Sequence, residues 1–201
     1  MRTFVKILLL TSLFCSVRAD AEFKPIEVVN DLHRSLLEIM RAGNGKSPLE
    51  KYALLEPTVS ESFDFPKIAR LVTGRHWKTA EKKEQLEFEK SLIRIAISSY
   101  ISNFNSYSGH RFEIIKEIAS GKKAMIETSL IDSKNDSIKI KYMLQKKERR
   151  WLIINVIAEG VSDLSLKRAD YAQFLDSNPL RSLTKKLSDR AQKGLSDPSL
   201  N

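Results

Sequence analysis

The sequence predicts an α+β domain in which a curved antiparallel four-stranded sheet carries helices packed on one face. Apolar residues recur at helical spacing before residue 104 and after residue 163, and at a period of two between 111 and 157. Short polar turns separate the strand-like runs. They favour an antiparallel meander, because parallel strands need long crossover connections. No repeat, low-complexity block or composition break divides residues 22–201, which read as a single domain.

The first helix is expected over Pro25 to Ala42, where Ile26, Val29, Leu32, Leu36, Leu37 and Met40 share a stripe and Gly43-Asn44-Gly45 stops it. Ser47-Pro48 offers a cap followed by proline at the first helical position and opens a second helix through Tyr52, Leu54, Leu55 and Val59. Asp64 is placed to cap a short third helix, with Pro66 in its first turn and Gly74 to end it in the left-handed conformation. Thr79 is then expected to cap a long helix from about Ala80 to Phe104. Its apolar face, from Leu86 and Phe88 through Leu92, Ala96, Tyr100 and Phe104, is wide enough for contacts on more than one side.

The period then changes. Phe112, Ile114 and Ile118 begin one strand, and Gly121 turns into a second that places Ala124, Ile126, Thr128 and Leu130 on one face. Ile138, Ile140, Tyr142 and Leu144 alternate with Lys139, Lys141, Met143 and Gln145 in the third. The basic run Lys146–Arg150 turns into a fourth over Trp151–Ile157. A helix near Tyr171 and Phe174 follows, and Pro179 opens a last amphipathic one with Leu180, Leu183 and Leu187. Periodicity leaves open whether a sheet curved around helices encloses side chains or a ligand.

Arg2 and Lys6 precede a short apolar run, Ile7 to Val17, closed by small residues. This is the pattern of a secretory signal peptide over residues 1–21, cleaved after Ala19 or Ala21, and the run is about half the ~20 residues a membrane span needs. Either cleavage removes Cys15, leaving a cysteine-free chain suited to an oxidising compartment. The chain carries 34 Lys+Arg against 25 Asp+Glu, a net +9. Cleavage after Ala19 removes Arg2, Lys6 and Arg18 and leaves +6.

Two other function classes are disfavoured. His33, His76 and His110 show no ligand-like spacing, and no HExxH, GxSxG or glycine-rich phosphate loop occurs. Ser182-Leu183-Thr184-Lys185 spells SxxK without its companion motifs, and an Asp64–His76 acid–base pair competes with the capping role of Asp64. The basic balance and Trp151 beside a basic turn lack any helix-turn-helix, RNP or zinc-finger pattern, so nucleic acid is not an expected partner.

The ordered set Phe63-Asp64, Ile68-Ala69-Arg70, Gly74-x-x-Trp77, Gln85, Phe88, Tyr100, Tyr142, Trp151, Val156, Glu159-Gly160-Val161-Ser162, Arg168 and Tyr171 resembles the toluene-tolerance, or MlaC, family of periplasmic phospholipid-binding proteins. The resemblance spans roughly residues 25 to 190. It implies a fold similar to the nuclear-transport-factor-2-like group, with phospholipid acyl chains clasped in an apolar pocket between sheet and helices. It also implies a non-enzymatic periplasmic carrier, part of an ABC transport system, moving lipid between an outer-membrane lipoprotein complex and an inner-membrane transporter complex, with transient membrane-surface contact. Asn155 stands where the family has Asp, and the stretch Gly160–Tyr171 is similar to a hopanoid-associated branch, which makes a hopanoid or related polycyclic lipid the alternative cargo.

A carrier of acyl chains needs apolar surface, since each buried methylene is worth about 0.8 kcal/mol. Under the resemblance, the lipid-binding residues are Ile126, Thr128, Tyr142 and Leu144 from the strands with Ile68, Leu92, Ala96 and Tyr100 from the helices. An ordinary core would use the same residue types. Arg70, Arg75 and Arg168 flank the matched motifs and are the candidates for headgroup or docking contacts, where arginine meets phosphate at the water boundary. The basic turn Lys146, Lys147, Arg149 and Arg150 offers a weaker attraction to anionic surfaces. Bound lipid is the cargo, and no cofactor, metal ligand or catalytic residue is expected.

Overall fold

The computed structural model describes residues 24–196. The expected signal peptide, its cleavage sites and Cys15 lie outside the described residues. The first helix, α1 (Pro25–Ala42), forms where its apolar stripe predicts, and Val29, Leu32, Leu36 and Ile39 are fully buried. It ends at Gly43, whose positive φ of 48° suits glycine. Helix α2 (Pro48–Ser62) opens on a capping box: Glu50 N donates to Ser47 Oγ at 3.3 Å, and Ser47 N donates to the Glu50 carboxylate at 2.8 Å.

Helix α3 (Phe65–Thr73) is capped by Asp64, whose Oδ1 accepts from Lys67 N at 3.1 Å, and Gly74 ends it at φ 56°. The next segment departs from expectation. Residues Arg75–Thr79 form a separate short helix, α4, and the long helix α5 spans Lys82–Asn103 with Glu81 as its cap. Thr79 is therefore not a cap; its hydroxyl donates to the His76 carbonyl at 3.1 Å. Gln85 closes the corner by donating to the carbonyls of Trp77 at 2.9 Å and Ala80 at 3.3 Å. Helix α5 packs on α2, α3 and α7, as its wide face requires, although Leu86 stays exposed.

The sheet is an antiparallel meander in the order β1 (Arg111–Ser120), β2 (Lys123–Ile131), β3 (Ser137–Lys147), β4 (Arg150–Ala158), β5 (Val161–Ser162). A two-residue strand thus joins the four expected. Glu159 and Gly160, both at positive φ, make the tight turn that pairs Ala158 with Val161. Bulges at Ile114/Lys116 and Met143/Leu144 bend the sheet. The first bulge also splits the expected row of β1: Phe112 and Ile114 face inward opposite Leu130 and Thr128, whereas Ile118 lies opposite Met125 on the outer face and is exposed. Phe63 extends the far edge through a parallel bridge to Ile153, with Asp64 N donating to the Ile153 carbonyl at 3.0 Å.

Helix α1 crosses the inward face and touches β1, β2 and β4, while α2 and α3 reach β4. Helix α6 (Asp163–Leu175) starts directly after β5, and α7 (Leu180–Leu195) lies along α5. Asn155 locks the corner before α6: its side chain exchanges hydrogen bonds with the Ser162 hydroxyl at 3.0 and 3.2 Å and accepts from Leu164 N at 3.1 Å.

Asp64 serves both the α3 cap and a 3.8 Å ion pair with Lys147 while itself buried. Asp64→Ala is expected to cost about 1–2 kcal/mol in urea unfolding, and Asp64→Asn, which keeps the cap, less than half of that. Equal losses in the two variants would assign the effect to the ion pair instead.

Candidate lipid-binding site

The inward face of the sheet is built by alternation. In register across the strands lie Ala124, Leu144 and Ile153, then Ile126, Tyr142 and Val156, then Thr128 and Ile140. The expected lipid-binding residues Ile126, Tyr142, Leu144, Ile68 and Leu92 fall in one core cluster, with Ala96 and Tyr100 packed against it. Thr128 is fully buried in the same face and donates to the Ile140 carbonyl at 3.2 Å. The structure brings the whole apolar set together. These residues pack side chain against side chain, and no buried side-chain nitrogen or oxygen among the described residues lacks a hydrogen-bond partner.

The packing has one polar element. His33, on the buried face of α1, lies 3.1 Å from the Tyr142 hydroxyl through Nε2, and its ring stacks on Phe112 with centroids 3.7 Å apart. Burial lowers the His33 pKa from 6.5 to about 4, so the imidazole is neutral at pH 7, and burial pushes the Tyr142 hydroxyl up. From Phe112 a run of rings continues to Phe104 at 6.5 Å, Tyr100 at 6.0 Å and Phe63 at 6.3 Å. Aromatic rings therefore connect both expected tyrosines across α5, β1 and α1. The sequence places Phe104 and Phe112 on apolar faces and Phe63 in the family motif, but marks only Tyr100 and Tyr142 among these rings as lipid-binding. His33 was available to it, because it falls inside the stripe of Val29, Leu32 and Leu36.

One side of the inward face is uncovered. Ile114 on β1 and Ile138 on β3 face inward yet are 37% and 47% exposed, so an apolar strip runs from the core to solvent at the β1 end. The three candidate arginines lie elsewhere. Arg70 on α3 and Arg168 on α6 are exposed on helices that pack together, and Arg75 on α4 pairs with Asp176 at 2.6 Å, just after α6. In the basic turn, Lys147 reaches Asp64 and Arg150 donates to the Glu61 carbonyl at 2.9 Å, so two of its cations brace the α2–α3 corner. Asp64 and His76 have different partners, and Lys185 of the SxxK match pairs with Asp189 at 2.6 Å.

A bent antiparallel meander with α1 laid across its apolar inward row defines an α+β sheet-and-helix domain. The MlaC protein family model matches residues 30–189, and the chain belongs to that family. Among solved structures, a phospholipid-binding protein from Ralstonia solanacearum, solved in complex with a phospholipid, superposes with a TM-score of 0.73 at 15% identity. The match covers 89% of this chain and 100% of that one, and at this identity it shows a shared fold. No curated protein matches by sequence.

A pH dependence follows from His33. Its folded pKa of about 4 lies below its unfolded value near 6.5, so between these values the unfolded chain binds a proton that the folded chain refuses. Stability is expected to fall by about 3 kcal/mol as pH drops from 6.5 to 4, then to level off for this group. His33→Gln, which does not titrate, should flatten that part of a urea-denaturation profile. An equally steep profile in the variant would move the cause to other groups.

Proposed function

We propose that this chain is a non-enzymatic lipid carrier that holds phospholipid acyl chains between α1 and the inward face of the sheet. Membership of the MlaC family over residues 30–189 carries the reading. The solved relative's phospholipid complex supports it, as does the continuous apolar row from the buried Tyr142 to the exposed Ile114 and Ile138. In this reading Ile68, Leu92, Ala96, Tyr100, Ile126, Thr128, Tyr142 and Leu144 line the chamber once α1 parts from the sheet.

The exchange is energetically plausible because acyl chains replace side chains as apolar neighbours: methylenes leaving water gain about 0.8 kcal/mol each, against the contacts that α1 gives up. The headgroup stays at the water boundary, since burying an unpaired charge is prohibitive. Arg70, Arg75 and Arg168 are exposed on helices away from Ile114 and Ile138, and are cations for a docking partner. The wider assignment is periplasmic shuttling between an outer-membrane lipoprotein complex and an inner-membrane ABC transporter complex.

Organic extraction of the purified protein followed by mass spectrometry is expected to recover stoichiometric diacyl phospholipid. Recovery of a hopanoid instead would change the cargo and keep the carrier. Failure to recover any lipid, together with failure to take up labelled phospholipid or hopanoid, would contradict the reading. Ala96→Trp, at a part-buried position on the chamber face of α5, is expected to lower recovered lipid at least about fivefold with a smaller effect on folding, because overpacking costs about 1–3 kcal/mol. Unchanged loading in a folded variant would remove Ala96 from the chamber.

A further inference from the structure

A second concavity lies away from the sheet, walled by α5, α6 and α7. It has a volume of about 530 Å³, and thirteen residues line it. Its apolar wall is formed by Ile95, Tyr171, Phe174, Leu183 and Leu187, with Leu166 at its edge 55% exposed. No residue of the inward row of the sheet contributes to it. An amphipathic face of α7 accounts for Leu183 and Leu187, but folding alone leaves Leu166 without a cover.

The charges around this cleft are unevenly satisfied. Asp163 is held by Lys167 and Asp189 by Lys185, each pair one turn apart on its own helix. Lys186 Nζ sits 4.7 Å from the centre of the Phe174 ring, and Arg190 lines the cleft beside Tyr171. Asp170 is the remaining lining acid. Lys186 and Arg190 also line an adjoining groove of about 480 Å³ with Lys193, so the cationic side continues outward along α7.

We propose that this cleft binds an anionic single-chain amphiphile, with the chain against Ile95, Phe174, Leu183 and Leu187, and the anion at Lys186 and Arg190. Size decides between a small ligand and a protein partner. The volume lies within the ~300–1,000 Å³ typical of small-molecule sites, whereas a stable protein interface takes roughly 20–30 residues a side. Charge decides the headgroup: cations beside an apolar wall suit phosphate or carboxylate, and the two lysine–aspartate pairs neutralise Asp163 and Asp189, leaving Asp170 as the one lining acid against Lys186 and Arg190. A lysophospholipid and a fatty acid share this chemistry.

The test titrates purified protein with monomeric lauroyl lysophosphatidylglycerol, laurate and lauroyl lysophosphatidylcholine by calorimetry. Lys186→Ala/Arg190→Ala is expected to weaken the anionic probes at least about tenfold, the loss of charge-assisted hydrogen bonds. The zwitterionic probe should change by less than about twofold on the same physics. Ser99→Trp, which fills the cleft from α5, should weaken every probe that binds. Binding of laurate without the lysophospholipid, or the reverse, identifies the head. The proposal is overturned if the wild type binds no anionic probe, or if neither variant alters binding. Loss of extracted diacyl lipid in the same variants would also overturn it, by merging the cleft with the sheet chamber. Absence of diacyl lipid in the wild type bears on the carrier reading alone and leaves this titration intact.

Discussion

The hydrogen bond between His33 and Tyr142 joins the first helix to the centre of the sheet, and the arrangement of the core depends on it. Tyr142 lies in the row of Ile126 and Val156, and nearly all of its surface is buried. A phenol there without a partner would cost about 1–3 kcal/mol in desolvation. His33 supplies the partner only while α1 lies flat on the sheet, and burial keeps its imidazole neutral there. Its stacking on Phe112 extends the constraint to β1, and rings from Phe104 to Phe63 extend it to the end of α5.

This constraint sets what opening the core requires. Lifting α1 separates apolar surfaces that acyl chains can cover again, but it also parts one buried polar pair. In a lipid carrier built this way the cargo must offer apolar area together with a replacement for that single hydrogen bond. The exposed Ile114 and Ile138 give the apolar row an outlet that avoids the candidate arginines on α3, α4 and α6.

Most of the fold was legible because it rests on periodicity and local punctuation. The stripe of α1, the proline after Ser47, the cap at Asp64 and the alternation of β3 each specify an element within a few residues. Less local features were not. Glu81 displaced Thr79 as the cap of α5, its own N–H donating to the Glu84 carboxylate at 3.3 Å, and the bulge in β1 inverted the facing of Ile118. The two-residue β5 had no period to read. Asn155 stood out only as a departure from the family's pattern; in the structure its amide ties β5 to the start of α6. The apolar membership of the core behind the inward face was visible residue by residue. That Tyr142 would be paired with His33, 109 positions away, could not be read from spacing.

In the proposed carrier, acyl chains are accommodated by separation of α1 from the sheet. Spin labels at the exposed positions Asn30 on α1 and Lys139 on β3 measure that separation directly. Pulsed dipolar spectroscopy on delipidated and phospholipid-loaded protein is predicted to show the distance distribution lengthening on loading, by about the width of one apolar layer less the space already held by side chains. Identical distributions in protein shown to carry lipid would contradict separation of α1 and place the acyl chains elsewhere.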